Sequence, residues 1–174
     1  DVTKSNVSAS LDAATINTAS GRPLPYDLMK DLKPVSLIYA GTQFLLVNKD
    51  SRFNSLQDMV KYAKANPGTL KFGSTGVGTS THLSSETINA AAGIKAIHVP
   101  YRGVAPAMNN LAGGHVDYVI AGSTAAIPSI QNGLHKALAI TSRTRSQAVP
   151  QVPTLMEQGV PAETGSWYGL LVPA

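Results

Sequence analysis

Leu70-Lys71-Phe72, then Gly73-Ser74-Thr75-Gly76-Val77-Gly78-Thr79-Ser80-Thr81-His82, then an apolar-periodic run to Ala92 closed by Gly93: this stretch decides the fold. Residues 70–72 read as the end of a buried strand. Residues 83–92 read as a helix stopped by Gly93. Between them lies a loop of glycines and hydroxyls. Strand, tight loop and helix in that order form the repeating unit of an α/β sheet. Such a loop is expected to leave several backbone N–H groups unpaired and aimed at one spot, and a helix N-terminus adds roughly half a positive charge there. The stretch therefore reads as an anion site for a carboxylate or a phosphate. The plainer reading is a tight turn capped by Thr or Ser.

The same alternation continues on both sides. Residues 44–47, Phe44-Leu45-Leu46-Val47, form a continuous apolar run, as expected of a strand covered on both faces. Ser55 opens a helix with Asp58 three residues on, in the manner of a capping box. Leu56, Met59, Val60 and Ala63 follow at helical spacing, and Asn66-Pro67-Gly68 ends it. Further strands are read at 35–39, 97–99, 116–120, 136–141 and 165–172. Helices are read at 106–111, at 124–131 with Pro128 interrupting or starting it, and briefly at 154–158. Residues 1–23, rich in Ser, Thr, Ala and Asn, look loose, and Leu24-Pro25-Tyr26-Asp27 reads as a turn.

Strands alternating with helices of about three turns predict an α/β fold with a mostly parallel sheet. In such sheets ligands bind outside the carboxyl ends of the strands. The glycine loop, Ala121-Gly122-Ser123 and Arg102-Gly103 all fall at such ends. The candidate ligand-binding residues are therefore Ser74, Thr75, Gly76, Gly78, Thr79, Ser80, Ala121, Gly122 and Ser123.

Composition removes several function classes. The 174 residues include no cysteine, which excludes disulfides, thiolate metal sites and cysteine nucleophiles and suits a periplasmic protein. The 14 basic and 10 acidic residues give a net charge of +4, but the basic residues are scattered. A nucleic-acid partner would call for a patch or stripe, so none is expected. No apolar run approaches the ~18 residues of a membrane span. The chain opens on Asp1 rather than Met and reads as a processed product or a fragment.

Four histidines, His82, His98, His115 and His135, form no HExxH or HxH pattern, so no metal is expected. His82, in the first turn after the loop, either points at an anion or caps its own turn and packs on the strand. No Gly-Lys-Ser/Thr closes the loop as in a Walker motif, and no acidic residue stands where a dinucleotide fold needs one. No G-x-S-x-G elbow is present. Ser74 and His82 lack an evident orienting Asp, which leaves no case for catalysis and no cofactor. Tyr101, Trp167 and Tyr168 read as core or pocket lining, and Asp117 as a solvated or capping residue.

Several motifs in fixed order resemble the Bug family, the TctC-like periplasmic solute-binding proteins of tripartite tricarboxylate transporters. They are Leu24-Pro25-Tyr26-Asp27 with Leu32-Lys33-Pro34-Val35-Ser36-Leu37, Ala65-Asn66-Pro67-Gly68, and the glycine loop with Thr79 and His82-Leu83. His98-Val99-Pro100-Tyr101-Arg102-Gly103-Val104-Ala105-Pro106-Ala107 and Gly113-Gly114-His115-Val116-Asp117 follow. Ala137-Leu138-Ala139-Ile140-Thr141-Ser142, Val152-Pro153-Thr154 and Ser166-Trp167-Tyr168-Gly169 complete the set. The resemblance implies a lobe of the type II periplasmic-binding-protein kind, with a mostly parallel sheet flanked by helices. It also implies a non-enzymatic receptor that closes around a small carboxylate (a di- or tricarboxylate, an amino acid or an aromatic acid) and delivers it to membrane transporter subunits.

By the same resemblance, Ser74, Gly78, Thr79 and their neighbours hold a carboxylate, partly through ordered water. Residues 1–37 correspond to a remnant of lobe 1, 38–164 to lobe 2, and 165–174 to a strand returning toward lobe 1. The family's opening segment and helical tail are not seen, which makes a weak half site and self-association expected. Ala121-Gly122 stands where relatives often carry a polar or acidic residue. The rival readings are an α/β enzyme acting on a phosphorylated or acylated substrate and a sensor or interaction module reusing the lobe.

Overall fold

The computed structural model describes residues 7–10, 16 and 27–174. The chain divides into two compact units, one holding residues 1–41 and 166–174, the other residues 42–165. Residues 24–26 of the expected turn lie outside the described residues.

In the first unit, β1 (Val7–Ser10) pairs antiparallel with β7 (Gly165–Pro173), Val7 opposite Leu171. A strand here departs from the loose segment read from sequence. The pairing partner lies far along the chain, so local composition carries no sign of it. A single helical turn, α1 (Leu28–Asp31), leads into β2 (Leu32–Asn48). The Asp31 carboxylate accepts the Asp27 N–H at 2.7 Å, and the Ala174 N–H donates to the Asp31 carbonyl at 2.9 Å.

Strand β2 joins into one element what the sequence reads as two, 35–39 and 44–47. Nothing between them is a turn former strong enough to break it. At Gln43 the strand is held by the Thr141 side chain, which accepts the Gln43 N–H at 3.0 Å. The run 44–47 is buried on both faces, as its sequence requires.

The second unit builds a sheet from the end of β2, β3 (Lys71–Ser74), β4 (Ile97–Pro100), β5 (Tyr118–Gly122) and β6 (His135–Ile140). Strand β3 pairs parallel with β4 and with β5, while β2 pairs antiparallel with β5 and β6. The sheet is thus mixed, with most of its strands running parallel as expected. Four strands run one way and β2 runs against them, because the chain enters this unit from the edge where the others end: Gln43 lies opposite Gly122.

Helices α2 (Leu56–Ala65), α3 (Ser80–Ala92), α4 (Val104–Ala112) and α5 (Ser123–Gln131) provide the connections. The α2 cap is as read: the Ser55 Oγ accepts the Asp58 N–H at 3.1 Å. Helix α4 starts two residues before Pro106, still within the first turn, where a missing N–H costs nothing. Pro128 neither starts nor stops α5 but sits inside it. A 3₁₀ turn at Met156–Gln158 follows Thr154, whose Oγ1 accepts the Glu157 N–H at 3.0 Å while Glu157 accepts the Thr154 N–H at 2.7 Å.

Two apolar layers sandwich this sheet. One gathers Leu45, Val47, Leu56, Met59, Phe72, Ile88, Tyr118 and Ile120. The other gathers Phe44, Leu46, Leu111, Val119, Ala121, Ala126 and Ile140. The odd and even residues of β2 face opposite layers, which fixes its register.

Candidate functional site

Strands β5, β3 and β4 are neighbours in that order and run parallel, so their carboxyl ends open side by side. Each leads at once into a helix. The glycine loop joins β3 to α3 at Ser80, residues 101–103 join β4 to α4 at Val104, and β5 passes directly into α5 at Ser123. Three helix N-termini therefore share one edge, each contributing roughly half a positive charge. None carries an acidic residue in its first turn. Helix α2, which starts at the opposite edge, does carry one, Asp58. The edge at the glycine loop is the one left open to an anion from elsewhere.

The loop itself is tightly built. A Cβ on Gly73 would stand 2.9 Å from a Val119 methyl and 3.2 Å from the Tyr101 ring, so glycine precedes the last residue of β3 because these two side chains leave no room for anything larger. Gly78 has φ +75°, the left-handed region that favours glycine.

The loop amides are not left open, contrary to the expectation from sequence. The Thr75 N–H goes to Thr81 Oγ1 at 2.9 Å, and the Gly76 N–H to Ser74 Oγ at 3.2 Å. The Gly78 N–H goes to His82 Nδ1 at 3.1 Å, and the Thr79 N–H to the Gly76 carbonyl at 3.4 Å. The loop's hydroxyls and His82 provide acceptors within reach, and composition alone does not disclose that pairing.

The hydroxyls form a directed chain, since each has one hydrogen. Thr79 donates to the Gly76 carbonyl at 2.8 Å, so Thr81 donates to Thr79 at 3.1 Å and Thr75 to Thr81 at 2.9 Å. Thr79 is the N-cap of α3, but its side chain is spent on Gly76 rather than on the helix. The first turn-closing bond of α3 runs from the Leu83 N–H to the Thr79 carbonyl at 3.0 Å. The amides of Thr81 and His82 precede it in the first turn, where no intrahelical carbonyl is available to them.

The candidate residues thus gather on one edge but differ in what they offer. Ser74 is fully buried. Thr75, Gly76, Gly78, Thr79 and Ser80 are half-buried at the surface of the edge, and so are Gly122 and Ser123. Ala121 turns its methyl into the core with Phe44 and Leu46, so only its backbone belongs to the edge. Tyr101 packs against the same layer and Tyr168 lies in the other unit, 6.0 Å ring to ring from Tyr39. Asp117 has a capping role, accepting the Lys71 N–H at 2.8 Å.

Two groups escaped the sequence reading. His98, in β4, places Nε2 2.6 Å from Ser74 Oγ. Its ring stacks on His82 at 3.9 Å and 10° and on Phe72 at 4.9 Å. Burial, and then the neighbouring His82, hold its pKa below the usual imidazole value. Ser74 and His98 are at the distance of a nucleophile and its base, yet the serine is fully buried and already engaged with Gly76. The pair orders the loop. The second group is a buried polar knot: Gln43 Oε1 accepts from Ser84 Oγ at 2.6 Å, and Thr141 Oγ1 donates to the Thr164 carbonyl at 2.7 Å. Tertiary packing of β2, α3 and the segment before β7 brings these residues together, and no local motif announces it. Among the described residues no group of three or more His, Asp or Glu side chains is placed to hold a metal.

A family model described as the tripartite tricarboxylate transporter family receptor, TctC, matches residues 7–174. The chain belongs to the TctC family. A curated relative, the UPF0065 protein in the tcbD-tcbE intergenic region of Pseudomonas sp. (strain P51), is 40% identical over 152 residues, 86% of this chain and 45% of the relative. The R. palustris protein Rpa4515, solved with adipate, is 34% identical with TM-score 0.82, covering 87% of this chain and 51% of that one. MatC (Rpa3494) from Rhodopseudomonas palustris, solved with bound malate, is 29% identical with TM-score 0.86, covering 97% and 57%. The chain spans about half the length of these relatives. TctC proteins are receptors, not enzymes, and the fold of this chain, a mixed α/β sheet flanked by helices, is theirs. No described helix is long and apolar enough to cross a membrane.

Proposed function

We propose that this chain is the carboxylate-holding part of a periplasmic solute receptor, which captures a small organic carboxylate by hinge closure and presents it to the membrane subunits of a tripartite tricarboxylate transporter. The observation that carries the reading is the edge where α3, α4 and α5 all begin without an acidic residue. Such an edge is electrostatically suited to one or two carboxylates. The adipate and malate held by two relatives are dicarboxylates, which supports that ligand class. In this reading the donors are backbone amides in the first turns of α3 and α5. Ser74, Thr75, Gly76 and Thr79 shape the loop that presents them together with the Gly78 amide, and ordered water fills the remaining contacts. No cofactor, metal or nucleic acid enters the reading.

Residues 42–165 would serve as the ligand-holding lobe, and the residues on either side as part of another. Val35, Leu37 and Ile38 of β2 are exposed, which supports self-association of the chain. Sedimentation over a concentration series tests that point: a single monomeric species at every concentration would contradict it.

Thermal shift against mono-, di- and tricarboxylates and aromatic acids at millimolar concentration tests the function. A ligand at 100 times its Kd raises stability by about 2.7 kcal/mol, which a melting curve reads easily. Stabilisation by a narrow set of acids supports the receptor reading and names the class. No stabilisation by any acid contradicts it.

A further inference from the structure

The stacked imidazoles beneath the glycine loop have no part in the ligand reading so far. His82 is the informative one. A backbone amide only donates, so His82 Nδ1, which receives the Gly78 N–H at 3.1 Å, carries no proton. The neutral ring then holds its hydrogen on Nε2, 3.9 Å from Glu86 Oε1. His98 lies face to face with it at 3.9 Å and holds the Ser74 hydroxyl at 2.6 Å. Two imidazolium ions stacked so closely repel, so the pair accepts one proton before two.

A proton on His82 Nδ1 sets two donors, Nδ1–H and Gly78 N–H, against each other. An acceptor oxygen between them relieves that conflict, and a carboxylate oxygen does so most strongly. We propose that His82 and His98 form a proton-sensitive latch on the glycine loop, so that capture of a carboxylate there takes up a proton. The proposal rests on the carboxylate reading above. In the empty loop the neutral His82 occupies Gly78. When a carboxylate oxygen arrives, it replaces the imidazole as acceptor, and the ring takes a proton from solvent at Nδ1 and becomes a second donor to the same oxygen. One proton leaves solvent and one bond partner is exchanged, with no other change in charge.

The groups facing the pair agree with this. Glu86, on α3, supports a proton on His82. From β3 come Phe72 and the uncharged Ser74. From β5 comes Tyr118, behind Phe72 at 5.6 Å, its phenol pushed well above the usual range chiefly by burial and therefore neutral. Asp117, at the start of β5, is engaged with the Lys71 N–H.

Two measurements on the whole chain test the latch. In ¹⁵N-resolved NMR without ligand, the Gly78 amide is expected to titrate with the His82 ring, which should be the Nε2–H tautomer at pH 8. An amide that ignores the ring, or an Nδ1–H tautomer, overturns the proposal. Calorimetry with adipate and with malate at pH 6.5, in buffers of different ionisation enthalpy, is expected to show net proton uptake and an affinity that rises as pH falls, by at most tenfold per pH unit. His82→Asn keeps an acceptor for Gly78 but cannot titrate, so it should bind with the uptake lost. Wild-type binding with no proton uptake, or uptake unchanged in His82→Asn, overturns the proposal. If neither acid binds, the carboxylate reading fails, and the Gly78 titration alone decides whether the latch exists.

Discussion

Thr141 is fully buried and its hydroxyl serves two backbone groups, donating to the Thr164 carbonyl at 2.7 Å and accepting the Gln43 N–H at 3.0 Å. Those groups lie where the chain enters and leaves the second unit. Thr141→Val keeps the shape and removes the hydroxyl. The buried Gln43 amide then loses its partner, a penalty of about 1–3 kcal/mol, and the half-buried Thr164 carbonyl loses a bond worth about 0.5–1.5 kcal/mol. The added methyl returns at most ~0.8 kcal/mol. The net expectation is a loss of about 1–4 kcal/mol. Urea unfolding followed by circular dichroism measures it as a lower midpoint at unchanged slope. Hydrogen exchange should show the Gln43 amide losing protection at the same time. Thr141→Ser, which keeps the hydroxyl, should retain that protection. A Val variant within ~0.5 kcal/mol of wild type, with Gln43 still protected, refutes the reasoning.

Four further outcomes are expected. Gly73→Ala forces a Cβ against Val119 and the Tyr101 ring, and should cost about 1–3 kcal/mol in thermal unfolding as overpacking. Gly78→Ala places a side chain at φ +75°, costing about 1–2 kcal/mol in the same measurement. Tyr118→Phe removes the donor that Asn89 Oδ1 receives at 2.6 Å; because Asn89 Nδ2 is already unpartnered, the whole buried amide is stranded, costing about 1–3 kcal/mol. Burial holds the pKa values of His98 and His135 below 6.5, so the unfolded chain binds protons that the folded chain refuses. Their contribution is therefore complete above pH 6.5 and is lost as pH falls below it, and the melting temperature should drop between pH 7 and pH 5. A flat or rising melting temperature over that range would contradict the burial of these rings.

What the sequence discloses depends on how local the cause is. The Ser55–Asp58 cap, the stop at Gly93 and the doubly buried run 44–47 follow from neighbours within a few residues, and the structure has them as read. The strand that runs through 35–39 and 44–47 is bonded at Gln43 by the Thr141 side chain, nearly a hundred residues away, which no local pattern announces. The direction of β2 depends on which edge the chain enters, which periodicity does not encode. At the site, the glycines and hydroxyls mark the place, but their roles come from geometry. A Thr or Ser reads as the cap of the turn, and Thr79 does hold the N-cap position of α3, but its hydroxyl closes on Gly76. The loop amides read as open and instead bond to Ser74, Thr81 and His82. His98 reads as one polar residue in a short strand and becomes a partner of Ser74 only through the register that sets it opposite Phe72. Ala121 reads as loop lining, but the pleat turns it inward.

The central claim is that an anionic ligand sits at the edge where α3 begins. Ser80→Asp tests it most directly, because it puts a carboxylate of the protein's own into the first turn of that helix. An acid at this position favours the helix by about 0.3–1 kcal/mol, so the fold should not suffer. Titration of dicarboxylates into wild type and variant should show affinity falling at least about tenfold, which is ~1.4 kcal/mol, with the melting temperature held or raised. Equal affinity in the two proteins, with the fold intact, would contradict the account.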